Sequence, residues 1–283
     1  MEWMSPADAR LYIRLEGDPL YAPETSVPRG TLAECSVLAA LSNHVAHVEV
    51  YRDDISGVAF EHVLPDGAVR LMFDLGSRHG QAWAAGPSTK PTRLRLEGAI
   101  ANLTVTLHPG AAFELLGVPA RALRDQCIPL ESLWPRDIAS VSEKLATACD
   151  DHARSVLVQS LLSARLARAK TSERTRAVHA LRLLRTGRRT VREAAAALGL
   201  GERRLQQLFE TEVGLTPRAY RRLARVHACL RALRRSPSPR WAELALDHGF
   251  YDQAHLANEF RGLLGLSPTA FVESVSGSSK TAR

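Results

Sequence analysis

Long apolar runs are missing from this 283-residue chain. Nothing approaches the ~18 to 20 consecutive apolar residues that a membrane-spanning helix needs. The start, Met1-Glu2-Trp3-Met4-Ser5-Pro6, also lacks the basic-then-apolar order of a secretory leader, so a soluble, unexported, cytoplasmic protein is expected. Cysteine is scarce. The four present (Cys35, Cys127, Cys149, Cys229) lie far apart with no Cys-x-x-Cys pair, which argues against a disulfide framework and a structural zinc site. Signatures of catalysis are missing as well: there is no Gly-rich phosphate loop, no Gly-x-Ser-x-Gly elbow, and no serine or cysteine in a nucleophile motif. Of His44, His47, His62, His79 and His108, only the first two are near neighbours, and a metal-dependent barrel enzyme would call for a close His-x-His pair. No catalytic residue, metal or cofactor is therefore expected.

What the chain does contain is an uneven distribution of charge. Its length, with 45% hydrophobic and 24% charged residues, suits two globular domains. The net charge is +7, yet residues 1–170 carry 17 Lys and Arg against 20 Asp and Glu, whereas residues 171–283 carry 20 against 10. The basicity belongs to the C-terminal part, which points to a polyanionic partner, most often nucleic acid.

From about residue 9 to 108 apolar residues tend to alternate. Leu11, Ile13 and Leu15, then Val69, Leu71, Phe73 and Leu75, then Leu103, Val105 and Leu107 mark half-buried strands. Turn signals separate them at Pro65-Asp66-Gly67, Gly76-Ser77 and Gly86-Pro87-Ser88, as in an antiparallel sandwich or small barrel. After Pro109-Gly110 the period becomes helical, with one long amphipathic stretch over 136–169 whose Leu157, Leu161, Leu162 and Leu166 share a face. That face suits either an intrachain lid or a seam with a second copy. Thr171-Ser172-Glu173 is the expected boundary.

Beyond the boundary the sequence repeats. Glu193, Ala195 and Gly199 recur fifty residues later as Glu243, Ala245 and Gly249. Leu205, Phe209, Gly214, Leu215 and Pro217 recur fifty-one later as Leu256, Phe260, Gly265, Leu266 and Pro268, so the second copy has one extra turn residue. Each copy reads helix, tight turn, helix. Val191, Ala194, Ala195 and Leu198 make an apolar stripe ending at Gly199, a residue suited to a left-handed C-cap. The alanines let a second helix, with Leu205, Leu208 and Phe209 inward, cross closely. Asp252 is the expected N-cap of the equivalent helix in copy two. Between the copies, Thr216 and Pro217 open a helix to Arg235, about 28 Å long at 1.5 Å per residue. That is near the ~34 Å between major grooves on one face of B-DNA. The helix reads as a spacer between two recognition helices, each module having its own small core.

The strings AAALGLGERRLQQLFETEVGLTPRAYRRLARV and LALDHGFYDQAHLANEFRGLLGLSP resemble the double helix-turn-helix domain of the AraC family of bacterial transcription regulators. The strings HVLPDGAVRLMF and LHPGAAFELLGVPARALRDQCIPLESLW resemble the barrel-type sensor domains that accompany it. The resemblance implies an α+β chain. An antiparallel, cupin-like β-barrel sensor with helices occupies 1–170 and a linker 171–175. An all-α DNA-binding domain follows over 175–273 (helix-turn-helix units at 191–213 and 241–264, linker helix 217–235), then a disordered tail at 274–283. It also implies double-stranded promoter DNA as partner and an unknown small-molecule effector. RNA polymerase and a second copy joined through the N-terminal domain are further candidate partners.

On the first recognition helix, the face opposite the apolar one carries Arg203, Gln206, Gln207 and Glu210. Arginine can grip guanine O6 and N7, and glutamine adenine N6 and N7; Glu210 would have to accept from cytosine N4. The second helix presents Gln253, Ala254, Ala257, Asn258 and Arg261. Ala254 and Asn258 replace the small hydroxyl and the basic residue usual in the family, and Gly262 loosens the helix. The second helix is therefore expected to contribute position more than base readout. His255 is expected to pack at the turn. Arg218, Arg221, Arg222 and Arg225 suit either phosphate contact or plain solvation. The alternative, an enzyme tethered to DNA through this module, lacks a catalytic constellation.

Overall fold

A computed structural model describes residues 30–63, 65–76, 80–169, 173–185, 189–235 and 240–272. The expected strand at Leu11, Ile13 and Leu15, the tail 274–283 and Thr171-Ser172 of the linker lie outside the described residues. Among the described residues the N-terminal part holds six strands: β1 (Thr31–Cys35), β2 (Val45–Val63), β3 (Arg70–Asp74), β4 (Ala82–Ala85), β5 (Thr92–Leu107) and β6 (Cys127–Pro129). They pair antiparallel in the order β1-β2-β5-β3-β4-β6. The expected antiparallel sheet is present; among the described residues its edge strands β1 and β6 do not pair, so the expected barrel is an open sheet. The long β2–β5 pair shifts register between Ile55 and Val58. Gly57 sits there at φ 95°, and a Cβ at this position would meet nothing within 4 Å, so the backbone angle rather than crowding is what favours glycine.

The alternation along β3 and β5 decides what the sheet buries. Leu71, Phe73, Leu103, Val105 and Leu107 face α1 (Ala112–Leu116), α2 (Pro135–Thr147) and α3 (Asp151–Leu166), joining Leu115, Ile138, Val158 and Leu162 in one cluster. The residues between them are not solvated. Arg70, Asn102, Thr104 and Thr106 are buried on the opposite face beside a second cluster of Ile55, Met72, Trp83, Ala85 and Leu96. The centre of the sheet, over β3, β4 and residues 102–107 of β5, is therefore buried on both faces.

The expected single helix over 136–169 is two helices. The break comes at Ala148–Asp150, where Asp150 turns extended and accepts a hydrogen bond from the Ala153 amide (2.7 Å) as N-cap of α3. α3 packs within the chain as a lid on the core. Gln159 ties it there: although buried, its amide donates to Ser36 O (3.0 Å) and its carbonyl accepts from Leu38 N (2.7 Å).

The C-terminal part is helical: α4 (Arg174–Leu184), α5 (Val191–Ala197), α6 (Glu202–Glu212), α7 (Pro217–Arg235), α8 (Trp241–Asp247) and α9 (Gln253–Leu264). Leu205, Leu208 and Phe209 of α6, Leu223, Val226, Cys229 and Leu230 of α7, and Leu256 and Phe260 of α9 fall in one continuous cluster. The expectation of a separate core for each module is thus corrected. α7 is apolar along its buried side and fuses the two modules. Among the described residues no helix is long and apolar enough to cross a membrane.

Candidate nucleic-acid interface

The two helix pairs are built by the same local devices. Gly199 (φ 65°) ends α5 and Gly249 (φ 76°) ends α8, and the following amides of Leu200 and Phe250 reach back to Ala195 O and Ala245 O (2.9 Å each). Positive φ is what lets the chain reverse there. α5 opens with a capping box: Thr190 Oγ1 accepts from Glu193 N (3.2 Å), and Thr190 N donates to Glu193 Oε2 (2.7 Å). That amide holds the Glu193 carboxyl below its ordinary pKa. α9 opens on Asp252, whose carboxylate accepts from His255 N (2.7 Å), whereas α6 opens on Gly201 with no side-chain cap.

With Leu205, Leu208 and Phe209 inward, Arg203, Gln206 and Gln207 are exposed together on α6. Gln206 Nε2 donates to Glu210 Oε1 (3.2 Å), which uses the carboxylate and orients the amide. Glu210 thus has an intrachain role. Arg204 lies off this stripe and pairs with Glu173 at the start of α4. On α9, Gln253, Ala254, Asn258 and Arg261 are exposed, and Arg261 Nη1 donates to Asn258 Oδ1 (3.1 Å). Ala257 is half-buried. His255 packs at the turn, its ring edge-on to Phe250 (5.4 Å between centroids) and its Nδ1 accepting from Tyr251 N (3.3 Å).

The arginines of α7 divide. Arg218 is exposed. Arg222 pairs with Glu259 of α9, and Arg225 donates to Gly249 O (2.8 Å), approaches Glu259 (3.8 Å) and covers the Phe250 ring (4.7 Å). Burial lowers the Arg225 pKa, with Arg221 adding repulsion. These contacts fix α9 on the linker helix. A side chain at Gly262 would displace the tip of the Arg222 side chain, which pairs with Glu259. Tyr251 has no counterpart in the first copy, and the sequence pattern marked its place only as one extra turn residue. It is the extra turn residue of the second copy and is 85% exposed at the N-terminal end of α9.

The two domains touch through the first module. Gly214 (φ 83°), at the end of α6, lies against Pro87 and Ala120 of the N-terminal domain, and its carbonyl accepts from Arg124 Nε (2.6 Å). Arg121 Nη1 donates to Thr211 Oγ1 (3.1 Å), and His227 Nε2 of α7 donates to Pro65 O (2.8 Å). Below that contact, burial opposes ionisation of Asp66, but Arg70 and the Ala68 amide hold its pKa below the ordinary value. His44 and His47 form no shared centre; His44 meets Glu114 (2.7 Å) and His47 meets Glu34 (3.3 Å).

Glu212, the last residue of α6, is 2% exposed; its Oε1 accepts from Glu173 N (3.1 Å), while Oε2 has no partner among the described residues. Burial raises its pKa, opposed by the Glu173 amide and Arg174 and supported by the negative charges of Glu114 and Glu173. A raised folded value means stability that is present at low pH and lost as pH rises through that value. Glu212→Gln should therefore unfold at higher temperature than the parent at pH 7, by a margin that closes on acidification toward pH 4. A melting series across that range checks it.

Residues 194–274 match the family model described as a helix-turn-helix domain, and residues 37–129 match a domain of unknown function (DUF6597). No curated protein matches the chain. Among solved structures the chain is similar to ToxT from Vibrio cholerae, in its P21 form, at 12% identity and TM-score 0.38 over 81% of this chain and 98% of that one. It is similar also to wild-type ToxT of strain SCE256 bound to unsaturated fatty acid (12%, TM-score 0.38, 83% and 96%). A third is ToxT bound to (E)-4-(8-methylnaphthalen-1-yl)but-3-enoic acid (12%, TM-score 0.40, 81% and 98%).

Proposed function

The C-terminal part of this chain is an AraC-type helix-turn-helix domain, and from that premise we propose that the protein is a transcription regulator, not an enzyme. It binds promoter DNA through both modules, under control of a small molecule or partner at the N-terminal domain. The observation that carries the reading is the joint exposure of Arg203, Gln206 and Gln207 on α6 and of Gln253, Asn258 and Arg261 on α9, in a basic domain. Paired guanidinium and amide groups on an exposed helix are what base edges in a major groove accept. The 19-residue α7 sets the two recognition helices for successive grooves. Arg218 lies on the same helix as a phosphate contact. Control from the N-terminal domain is supported by its contacts with Gly214, Thr211 and His227, all on or beside the DNA-binding modules.

The test is a titration of the full chain against duplexes selected from a random pool, at several salt concentrations. Affinity should fall steeply with salt, by roughly 10³-fold or more between 50 and 200 mM if about six phosphates are neutralised. Failure to enrich any duplex, or binding indifferent to salt, would contradict the reading.

A further inference from the structure

Between the β4–β6 edge of the sheet and α2 lies a groove of about 910 Å³, a size that takes a ligand of several rings. Its apolar wall includes Trp83 and Ile138. Ala139 and Ala146, seven residues apart on the exposed side of α2, keep it open because neither side chain extends past Cβ. Besides the Cys127 thiol, the ionisable groups among the described residues that line it are the carboxylates of Glu131 and Glu143; no described Lys, Arg or His lines it. A carboxylate ligand would meet like charge there. A lipophilic cation would meet two carboxylates, an indole and a wall of hydrocarbon, the combination that binds desolvated organic cations.

The groove also adjoins the joint between domains. Its β6 wall follows the segment 120–126, in which Gly86 N donates to Gln126 O (2.9 Å) and Asp125 N to Pro87 O (3.1 Å). Ala120 and Pro87 in turn touch Gly214, and Arg124 holds its carbonyl. We propose that this groove is an effector site for a lipophilic organic cation, and that its occupancy is passed through residues 120–126 to the first helix-turn-helix. The coupling rests on the regulator reading above; the groove itself does not.

The test uses two probes of nearly one shape and opposite charge, tetraphenylphosphonium and tetraphenylborate, titrated calorimetrically into the full chain in sodium buffer without DNA. Tetraphenylphosphonium should bind at least tenfold more tightly. Glu131→Gln/Glu143→Gln should weaken it at least fivefold and narrow the difference, and Ala146→Phe, checked by circular dichroism for folding, should remove it. Equal binding of both probes, no binding of the cation, or indifference to the glutamine pair would overturn the site. Saturating cation should then change the affinity for a selected duplex at least threefold, and an unchanged value would overturn the coupling. A chain that binds the cation but no duplex at all would count against the regulator reading and leave the site standing.

Discussion

Gly214→Ala should lower the stability of the full chain by about 3 kcal/mol, whereas Gly199→Ala should cost about 1 kcal/mol. Both glycines end a helix at positive φ (83° and 65°), so both substitutions place an L side chain in the left-handed region. The difference is what lies beyond the Cβ. At Gly199 nothing comes within 4 Å; at Gly214 the new atom would stand 2.6 Å from Pro87 Cγ and 2.8 Å from Ala120 O. A backbone carbonyl cannot swing aside like a side chain, so the N-terminal domain must shift. The shift also pulls the Gly214 carbonyl from Arg124. Urea unfolding gives the two losses, and limited proteolysis of Gly214→Ala should release the two domains sooner than in the parent. Equal losses at the two sites would mean the domains are not held at Gly214.

How much of this was legible beforehand depends on how far apart the partners lie in sequence. The period of two over 69–75 and 103–107 is local, and these runs coincide with β3 and β5. The repeat was equally legible, because a helix-turn-helix unit needs its glycines and small residues at fixed spacing. Missed local signals were also present. Thr190-x-x-Glu193 spells a capping box, and Asp150 inside the 136–169 stretch is an N-cap that splits it. Nonlocal partners left no such trace. Nothing near Thr104 and Thr106 says that their face of the sheet is covered, and nothing near Gly262 announces Arg222, forty residues earlier. The shared core of the two modules was hidden for the same reason: the stripe on α7 was visible, but not that both helix pairs close on it.

Arg203→Ala and Gln207→Ala should each cost about 1–3 kcal/mol in binding to the selected duplex and relax base preference at one half of it. Both side chains are exposed on α6, and neither makes a hydrogen bond to another described residue, so their removal should not disturb folding. Arg222→Ala offers the contrast. Its guanidinium is paired with Glu259, so its loss should loosen α9 on α7 and lower thermal stability as well as binding. A loss of base preference at Arg222 but none at Arg203 would mean that the reading face has been assigned to the wrong side of the module.

The central claim is that both recognition helices engage one duplex at once. Because α7 is packed along the shared core, the spacing is better changed in the DNA than in the protein. Inserting five base pairs between the halves of the selected site moves one half by about 17 Å and turns it to the opposite side of the duplex, since a full turn is ~10 base pairs and ~34 Å. A gel-shift titration of that duplex should show affinity reduced to that of a duplex with one half scrambled, and a ten-base-pair insertion should not restore it, because α7 spans one turn only. Undiminished affinity after the five-base-pair insertion would contradict simultaneous binding by the two modules.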